Sequence, residues 1–315
     1  MYQQSTENFG TFKKITLSNE NGMSFSVIPD YGANVIDLEL SCRGKSYHII
    51  DGVNDDQELI NDKAYKSSVL APWPNRTKDG KFTFNGKTYS LPINEIPLNN
   101  ALHGFIYKKP FVVDETILES DFAKIKLSHH YQGNDQGFPF KFKTTLIYSL
   151  SDKDGFQVEV EIENMDQQKI PMGFGWHPYI KLPVKANELH LQLPQCEQFE
   201  IDDQMIITGK TMEFNSFSIF QKIDNAQFDS CFKLTSTEAI STTILQDKQS
   251  GIDLHFWQER GKNGFDYLQI YIPEARQTIA LEPMTCCVDA LNNQRGLLEL
   301  VPGTVFKGKF GLKAI

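Results

Sequence analysis

Apolar and polar residues alternate along Phe140-Lys141-Phe142-Lys143-Thr144-Thr145-Leu146-Ile147-Tyr148-Ser149-Leu150, and again along Phe156-Gln157-Val158-Glu159-Val160-Glu161-Ile162-Glu163. A period of two is typical of strands that bury one face and leave the other in water. The intervening Ser151-Asp152-Lys153-Asp154-Gly155 has the composition of a hairpin connection. This stretch therefore predicts two long antiparallel strands with one buried face.

The same alternation recurs along most of the chain. Asn85-Gly86 suits the positive φ angles of a type I′ turn and predicts a hairpin over 81–91. Further strands are predicted at 11–18, 23–29, 33–40, 110–118, 123–131, 187–193, 241–247, 252–258, 265–272, 277–282 and 304–312. Helical signals are confined to short turns at 55–61 and 290–295. Many short antiparallel strands without a Ser/Gly/Pro linker predict an all-β sandwich, with residues 1–315 as a single domain; two all-β domains are the alternative.

Composition limits the partners of the chain. Its 315 residues are 40% hydrophobic and carry a net charge of -9. A nucleic-acid backbone or an anionic membrane would require a basic face, so neither is expected as a partner. The N-terminal residues show no signal-peptide pattern, and no apolar run approaches the roughly 20 residues of a membrane helix. We therefore expect a cytoplasmic protein.

The motifs of the common cofactor and metal sites are missing from the sequence. It contains no Gly-rich dinucleotide fingerprint, no Walker pattern and no Gly-x-Ser-x-Gly elbow. The five cysteines form no Cys-x-x-Cys pair, which predicts reduced, mostly buried thiols. His129 and His130 would point to opposite faces of a strand and so would not share a metal. We expect neither a metal nor a cofactor.

Two histidines lie in unusual local settings. His177 lies in Gly173-Phe174-Gly175-Trp176-His177-Pro178-Tyr179, where Pro178 keeps its backbone extended or in a turn. Trp176 and Tyr179 offer flat surfaces on which sugars stack. His103 precedes Gly104, which leaves room for a ligand beside the imidazole. Either histidine could instead be a core residue hydrogen-bonded to a carbonyl.

Three charged residues are further candidates. Glu282 follows an apolar run, and burial would raise its pKa into the range of a useful base, unless it pairs with an arginine such as Arg276. Arg76 offers a fork of donors for sugar hydroxyls, or else forms a loop ion pair. Asp229 lies between aromatic residues and could accept hydrogen bonds from hydroxyls or cap a turn. With the two histidines, these residues suggest acid/base chemistry on a neutral, hydroxyl-rich substrate.

Taken together, a set of short motifs resembles the aldose 1-epimerase (galactose mutarotase) family, in the order of that family and over most of the chain. The motifs are Asn75-Arg76, Gly80-Lys81-Phe82, Phe84 to Leu91, Asn99-Asn100, Leu102-His103-Gly104, Trp176-His177-Pro178-Tyr179, Phe228-Asp229, Leu281-Glu282-Pro283-Met284-Thr285 and Ala290-Leu291-Asn292.

The resemblance implies a large antiparallel super-sandwich with an open cleft on one sheet. It also implies roles: Glu282 matches the general base, His177 the general acid, and His103 the second histidine near the ring oxygen. Arg76 and Asp229 match positions that bind sugar hydroxyls, and we add Asn75 and Trp176 to the expected substrate-binding residues.

The implied activity is aldose 1-epimerase, which interconverts the α and β anomers of a free aldohexose. The Glu-Pro-Met-Thr motif followed by Cys286-Cys287 is typical of a divergent branch, so the preferred sugar is left open. A hexose-6-phosphate 1-epimerase is one alternative, disfavoured because the chain has only five arginines and none follows His103-Gly104-Phe105. A carbohydrate-binding protein without catalysis is the other alternative, because fold alone does not define function. The sequence makes no prediction of oligomeric state.

Overall fold

Strands dominate the computed structural model, which describes residues 1–262 and 264–315. In chain order they are β1 (Tyr2–Phe9), β2 (Phe12–Asn19), β3 (Ser24–Ile28), β4 (Asn34–Cys42), β5 (Lys45–His48), β6 (Ser68–Leu70), β7 (Arg76–Lys78), β8 (Lys81–Phe84), β9 (Lys87–Ser90), β10 (Asn100–Leu102), β11 (Val112–Leu118), β12 (Ala123–Tyr131), β13 (Phe142–Ser151), β14 (Gly155–Asn164), β15 (Ile170–Met172), β16 (Gly175–His177), β17 (Tyr179–Ile180), β18 (His190–Gln192), β19 (Cys196–Ile201), β20 (Ile207–Glu213), β21 (Gln221–Lys222), β22 (Asp229–Leu234), β23 (Ile240–Asp247), β24 (Ile252–Glu259), β25 (Tyr267–Tyr271), β26 (Ile279–Met284), β27 (Leu298–Leu300) and β28 (Val305–Ala314).

Helices are few and short. They are α1 (Asp56–Asn61) and α2 (Ala290–Asn293), with 3-10 turns at Ile96–Leu98, Ile106–Lys108 and Ala186–Glu188. Within the residues that the structure describes, no helix is long and apolar enough to cross a membrane.

Three large antiparallel sheets form the body of the molecule. Their strand orders are β1-β2-β3-β4-β5, β11-β12-β13-β14-β28-β24-β23-β18-β21 and β20-β19-β22-β25-β26-β16-β6, with β17 also paired to β26 in the third. The all-β super-sandwich predicted from the sequence is confirmed.

The alternating stretch forms the middle of the nine-stranded sheet. β13 and β14 pair antiparallel, with Leu146 opposite Val160, and the predicted apolar face of each strand is buried. Each large apolar side chain removed from water in this way contributes about 1.5–3 kcal/mol to folding. The two strands therefore supply a continuous apolar surface for the other sheets to cover.

Aromatic rings connect the three sheets in one core. Phe25 of the first sheet contacts Phe156 of the second at a centroid distance of 5.2 Å. Phe156 in turn contacts Trp176 of the third sheet at 6.2 Å. All three rings belong to the same buried cluster, which fixes the orientation of the third sheet relative to the others. The assignment of residues 1–315 to one domain stays a prediction.

Several element bounds differ from the sequence prediction. The hairpin over 81–91 is confirmed, with positive φ at both Asn85 and Gly86. The strand predicted at 187–193 begins as a 3-10 turn and is extended only over His190–Gln192. The strand predicted at 277–282 runs on through Pro283 to Met284, where a missing backbone N–H is tolerated. Several strands were not predicted, among them β1 and β20, which are mostly exposed and lack a regular apolar face.

Candidate active site

A cleft of about 460 Å³ lies against the third sheet, on the face opposite its core. β16, β17, β22, β25 and β26 contribute its floor, and the loops around Tyr65, Glu95 and His103 form its walls. The cleft brings together six of the seven residues expected in the site, namely His103, His177, Glu282, Arg76, Asp229 and Asn75.

Strand register places His177 beside Glu282. β16 pairs with β26 at Gly175 and Met284, and β17 pairs with β26 at Tyr179 and Ala280. Between these pairs, the antiparallel register puts His177 opposite Glu282 with both side chains on one face. Nε2 of His177 lies 3.3 Å from Oε1 of Glu282, and both side chains are almost completely buried.

Burial shifts the pKa values of this pair toward each other's usual range. Burial raises the pKa of Glu282 well above its ordinary value. The charge of Asp229 raises this pKa further, and the charge of Arg76 lowers it. Burial lowers the pKa of His177 to about 4. The second oxygen of Glu282 and Nδ1 of His177 are buried without a partner among the described residues. Burial thus favours the uncharged form of each residue, and the 3.3 Å contact provides a path for a proton between them.

His103 is a neutral hydrogen-bond donor beside this pair. The backbone N–H of Asn75 donates to its Nδ1 at 3.2 Å, so the proton of the neutral ring is on Nε2. Burial, then the neighbouring His177 and Arg76, lower the pKa of His103 well below its ordinary value. The rings of His103 and His177 meet edge to face at 5.3 Å.

A tight backbone approach fixes the orientation of His103. Its φ is 64°, and the φ of the following Gly104 is 65°. A Cβ on Gly104 would lie 2.1 Å from the carbonyl oxygen of Ala71, so only glycine fits here.

Polar residues on the neighbouring strands complete the cleft. Asp229 of β22 accepts a hydrogen bond from Nε2 of Gln269 at 2.7 Å, and burial raises its pKa. Gln269 of β25 lies directly opposite Glu282 of β26 in the sheet register. Arg76 forms an ion pair with Glu95 at 2.9 Å and lines the cleft, so the ion-pair interpretation is confirmed and the binding of sugar hydroxyls stays a prediction.

Several cleft residues were not singled out from the sequence as site residues, among them Tyr65, Glu95, Gln269 and Tyr271. The signal for Gln269 was present, because a period of two along the predicted strand 265–272 puts it on one face with Tyr267 and Tyr271. Tyr179, expected to offer a flat surface, stacks on His177 at 5.0 Å and lines the cleft. Arg276, considered as a partner for Glu282, instead donates to the carbonyls of Asp224 and Ala226.

The expectation that Trp176 contacts the substrate is wrong. Alternation along β16 turns its side chain away from His177 and into the core, where it is 1% exposed. The indole stacks on Phe310 at 5.5 Å, and its N–H donates to the carbonyl of Ser67 at 3.0 Å. Trp176 is therefore a packing residue behind the site.

Replacement of Trp176 should affect folding and not sugar affinity. Trp176→Phe leaves the Ser67 carbonyl without its donor, and we expect it to lower the free energy of unfolding by about 1–3 kcal/mol. Urea unfolding measures the loss, and the KM for an aldose should stay within about twofold, because the ring does not reach the cleft. A large rise in KM with unchanged stability would contradict this placement.

The histidines and Glu282 also have the composition of a metal site. One potential ligand atom from each of His103, His177 and Glu282 lies within 4.8 Å of the others. Two histidines and a carboxylate form a common ligand set for divalent iron. To bind a cation, however, Glu282 would have to ionise, and the burial that raises its pKa opposes this. The arrangement as it stands can accept a proton at one atom and donate one at another.

Comparison with known proteins identifies the family to which the chain belongs. Residues 13–313 match the family described as "Aldose 1-epimerase", and the chain therefore belongs to this family of isomerases. Among curated proteins, the uncharacterised protein YihR of Escherichia coli is 29% identical over 247 residues, 76% of each chain. The galactose mutarotase of Mus musculus is 26% identical over 206 residues, which cover 64% of this chain and 57% of the mouse protein.

Solved structures share the fold over nearly the full chain. A galactose mutarotase-like protein from Clostridium acetobutylicum superimposes with a TM-score of 0.87 at 20% identity, covering 100% of this chain and 98% of that one. A galactose 1-epimerase from Lactobacillus acidophilus gives a TM-score of 0.82 at 16% identity, with the same coverage. At such identities these structures define the fold and leave the substrate open.

Proposed function

We propose that this protein is an aldose 1-epimerase that interconverts the α and β anomers of a free aldohexose by acid/base ring opening. The observation that carries the proposal is the 3.3 Å contact between the buried side chains of His177 and Glu282, in an open cleft beside a second histidine. A cytoplasmic enzyme acting on a small sugar remains our expectation.

The two positions of a proton, on His177 or on Glu282, correspond to the two directions of the reaction. With the proton on His177, the carboxylate of Glu282 takes the proton of the anomeric hydroxyl while His177 protonates the ring oxygen, and the C1–O5 bond breaks. Glu282 is then protonated and His177 is neutral. After the C1–C2 bond of the aldehyde rotates, His177 removes the proton from the C5 hydroxyl and Glu282 protonates the carbonyl oxygen. The sugar closes with C1 inverted, and no proton is gained or lost.

The other polar groups of the cleft suit a neutral sugar. His103 offers an Nε2–H donor, Asp229 accepts hydrogen bonds, and Arg76 supplies N–H groups. Arginine and lysine side chains do not outnumber carboxylates among the lining residues, which disfavours the phosphorylated substrate. A binding protein would gain nothing from a buried pair with displaced pKa values, which disfavours the non-catalytic alternative.

The proposal predicts that the protein accelerates mutarotation. Freshly dissolved α-D-glucose or α-D-galactose should reach anomeric equilibrium faster in its presence, as followed by polarimetry. The rate should survive dialysis against EDTA, because the proposed steps use protein groups alone. Tight sugar binding without acceleration would favour the binding protein, and loss of activity on chelation would favour a metal at the two histidines and Glu282.

A further inference from the structure

The guanidinium of Arg76 is held in a fork by the carboxylate of Glu95. Nε of Arg76 donates to both oxygens of Glu95, at 3.1 and 3.0 Å, and Nη2 donates to Oε1 at 2.9 Å. The two side chains are only 13% and 15% exposed. Paired, partly buried contacts of this kind are strong and fix the plane of the guanidinium. The remaining N–H groups of Arg76 are available to a ligand in the cleft.

Glu95 is itself fixed by its surroundings. The side-chain amide of Asn100 donates to Oε2 of Glu95 at 2.9 Å, and the backbones of the two residues exchange hydrogen bonds. Asn100 is fully buried and begins β10, which pairs with β7 so that Leu102 lies opposite Arg76. The backbone segments that carry Glu95 and Arg76 are therefore both hydrogen-bonded to β10.

The ion pair balances the charge of the cleft. The cations that line the cleft are Arg76 and Lys63, and Lys63 is exposed to solvent. Glu95 and Asp229 are their carboxylate counterparts, while burial favours the uncharged forms of His177 and Glu282. Without the charge of Glu95, Arg76 would be an unbalanced cation in a partly buried site, where it would attract anions strongly.

We infer that Glu95 is a specificity-determining residue, which presents Arg76 to neutral hydroxyls while it prevents the guanidinium from capturing anionic aldoses such as hexuronates. The inference rests on the proposed function, because it concerns the substrate class of the same cleft. It differs from a purely structural role for Glu95 in predicting a gain of anion binding.

A matched pair of sugars tests the inference. D-glucose and D-glucuronate share their ring and differ by the carboxylate at C6. The variant Glu95→Gln keeps the shape of the side chain and removes its charge. We expect the inhibition constant of glucuronate, divided by the KM of glucose, to fall about tenfold or more in this variant at low salt. Added salt should weaken glucuronate binding to Glu95→Gln and leave it unchanged or stronger in the wild type.

Two further variants separate charge from geometry. Glu95→Asp keeps the charge on a shorter side chain, so it should raise the KM of glucose without the gain in glucuronate binding. Glu159→Gln makes the same change of net charge at an ion pair with Lys309, on the second sheet and outside the cleft. It should match the wild type in both constants.

The outcomes distinguish the inference from the proposed function. Suppose that Glu95→Gln is folded and active on glucose, but the glucuronate inhibition constant divided by the glucose KM does not change. The inference about Glu95 is then wrong, and the proposed function stands. If the wild type accelerates no aldose, the proposed function falls, and the dissociation constants of the two sugars from ligand-observed NMR then decide the inference. If Glu95→Gln fails to fold, the salt dependence of glucuronate binding to the wild type decides. A wild-type affinity that drops steeply with salt would show that Arg76 is an unbalanced cation despite Glu95, and would overturn the inference.

Discussion

Glu282→Gln is expected to lower kcat by at least about 10²-fold while the protein stays folded, because an amide cannot take the proton of the anomeric hydroxyl. The variant keeps the volume of the side chain and can still accept a hydrogen bond from an imidazole N–H. Polarimetry at saturating aldose measures the loss. Turnover equal to that of the wild type would remove Glu282 from the mechanism.

The same substitution should change how stability depends on pH. Burial raises the pKa of Glu282 above its ordinary value of about 4.5, so the folded protein keeps a proton that the unfolded chain releases. The stability that this proton confers is full below about pH 4.5 and is lost as pH rises toward the folded pKa. As pH rises above about 6.5, the ordinary pKa of histidine and so beyond the range in which His177 titrates, the wild type should lose free energy of unfolding relative to Glu282→Gln.

A surface variant provides the control for both measurements. Glu299→Gln removes a carboxylate that pairs with Lys169 at the surface and outside the cleft. It should leave turnover and the pH slope of stability as they are in the wild type. A wild type and a Glu282→Gln variant with parallel stability curves would mean that the carboxyl is not desolvated in solution.

His177→Asn is expected to lower kcat by at least about 10²-fold as well, since no group would then protonate the ring oxygen. The KM should change little, because Arg76, His103 and Asp229 remain in place. His48→Asn is the matched control, since His48 is 67% exposed and pairs with Asp37 outside the cleft.

The double variant adds a sharper criterion. If His177 and Glu282 act as one unit, the loss in Glu282→Gln/His177→Asn should be close to that of the worse single variant. Losses that multiply would show that the two residues act in separate steps. Unchanged turnover in His177→Asn would assign the acid to another group, with His103 the nearest imidazole.

The sequence predicted the parts of the fold that alternate regularly. β13 and β14 were predicted because apolar and polar side chains alternate along most of each strand, and α1 was expected only as a short turn at 55–61. β1 and β20 were missed because most of their side chains are exposed, so hydrogen bonding to a neighbour and not burial makes them strands.

Site residues that lie in distinctive local motifs could be predicted from the sequence, whereas those whose role depends on contacts with distant residues could not. Glu282 and His177 stand in distinctive local sequences, but their contact depends on the register between β16 and β26, which no local pattern specifies. Glu95 lies in a loop without a motif, and its role depends on Arg76, 19 residues away. The error at Trp176 has a simple cause: residues adjacent on a strand face opposite ways, so the neighbour of a cleft residue belongs to the core.

β16 is only three residues long, yet its middle residue, Trp176, lies in the core and its last residue, His177, lines the cleft. A single inserted or deleted residue in this strand would reverse the directions of the two side chains. The indole of Trp176 would then point into the cleft and the imidazole of His177 into the aromatic core. Relatives of this protein should therefore diversify by substitution in the surrounding loops, where sugar preference can drift, while the spacing from Gly175 to Tyr179 tolerates no change in length.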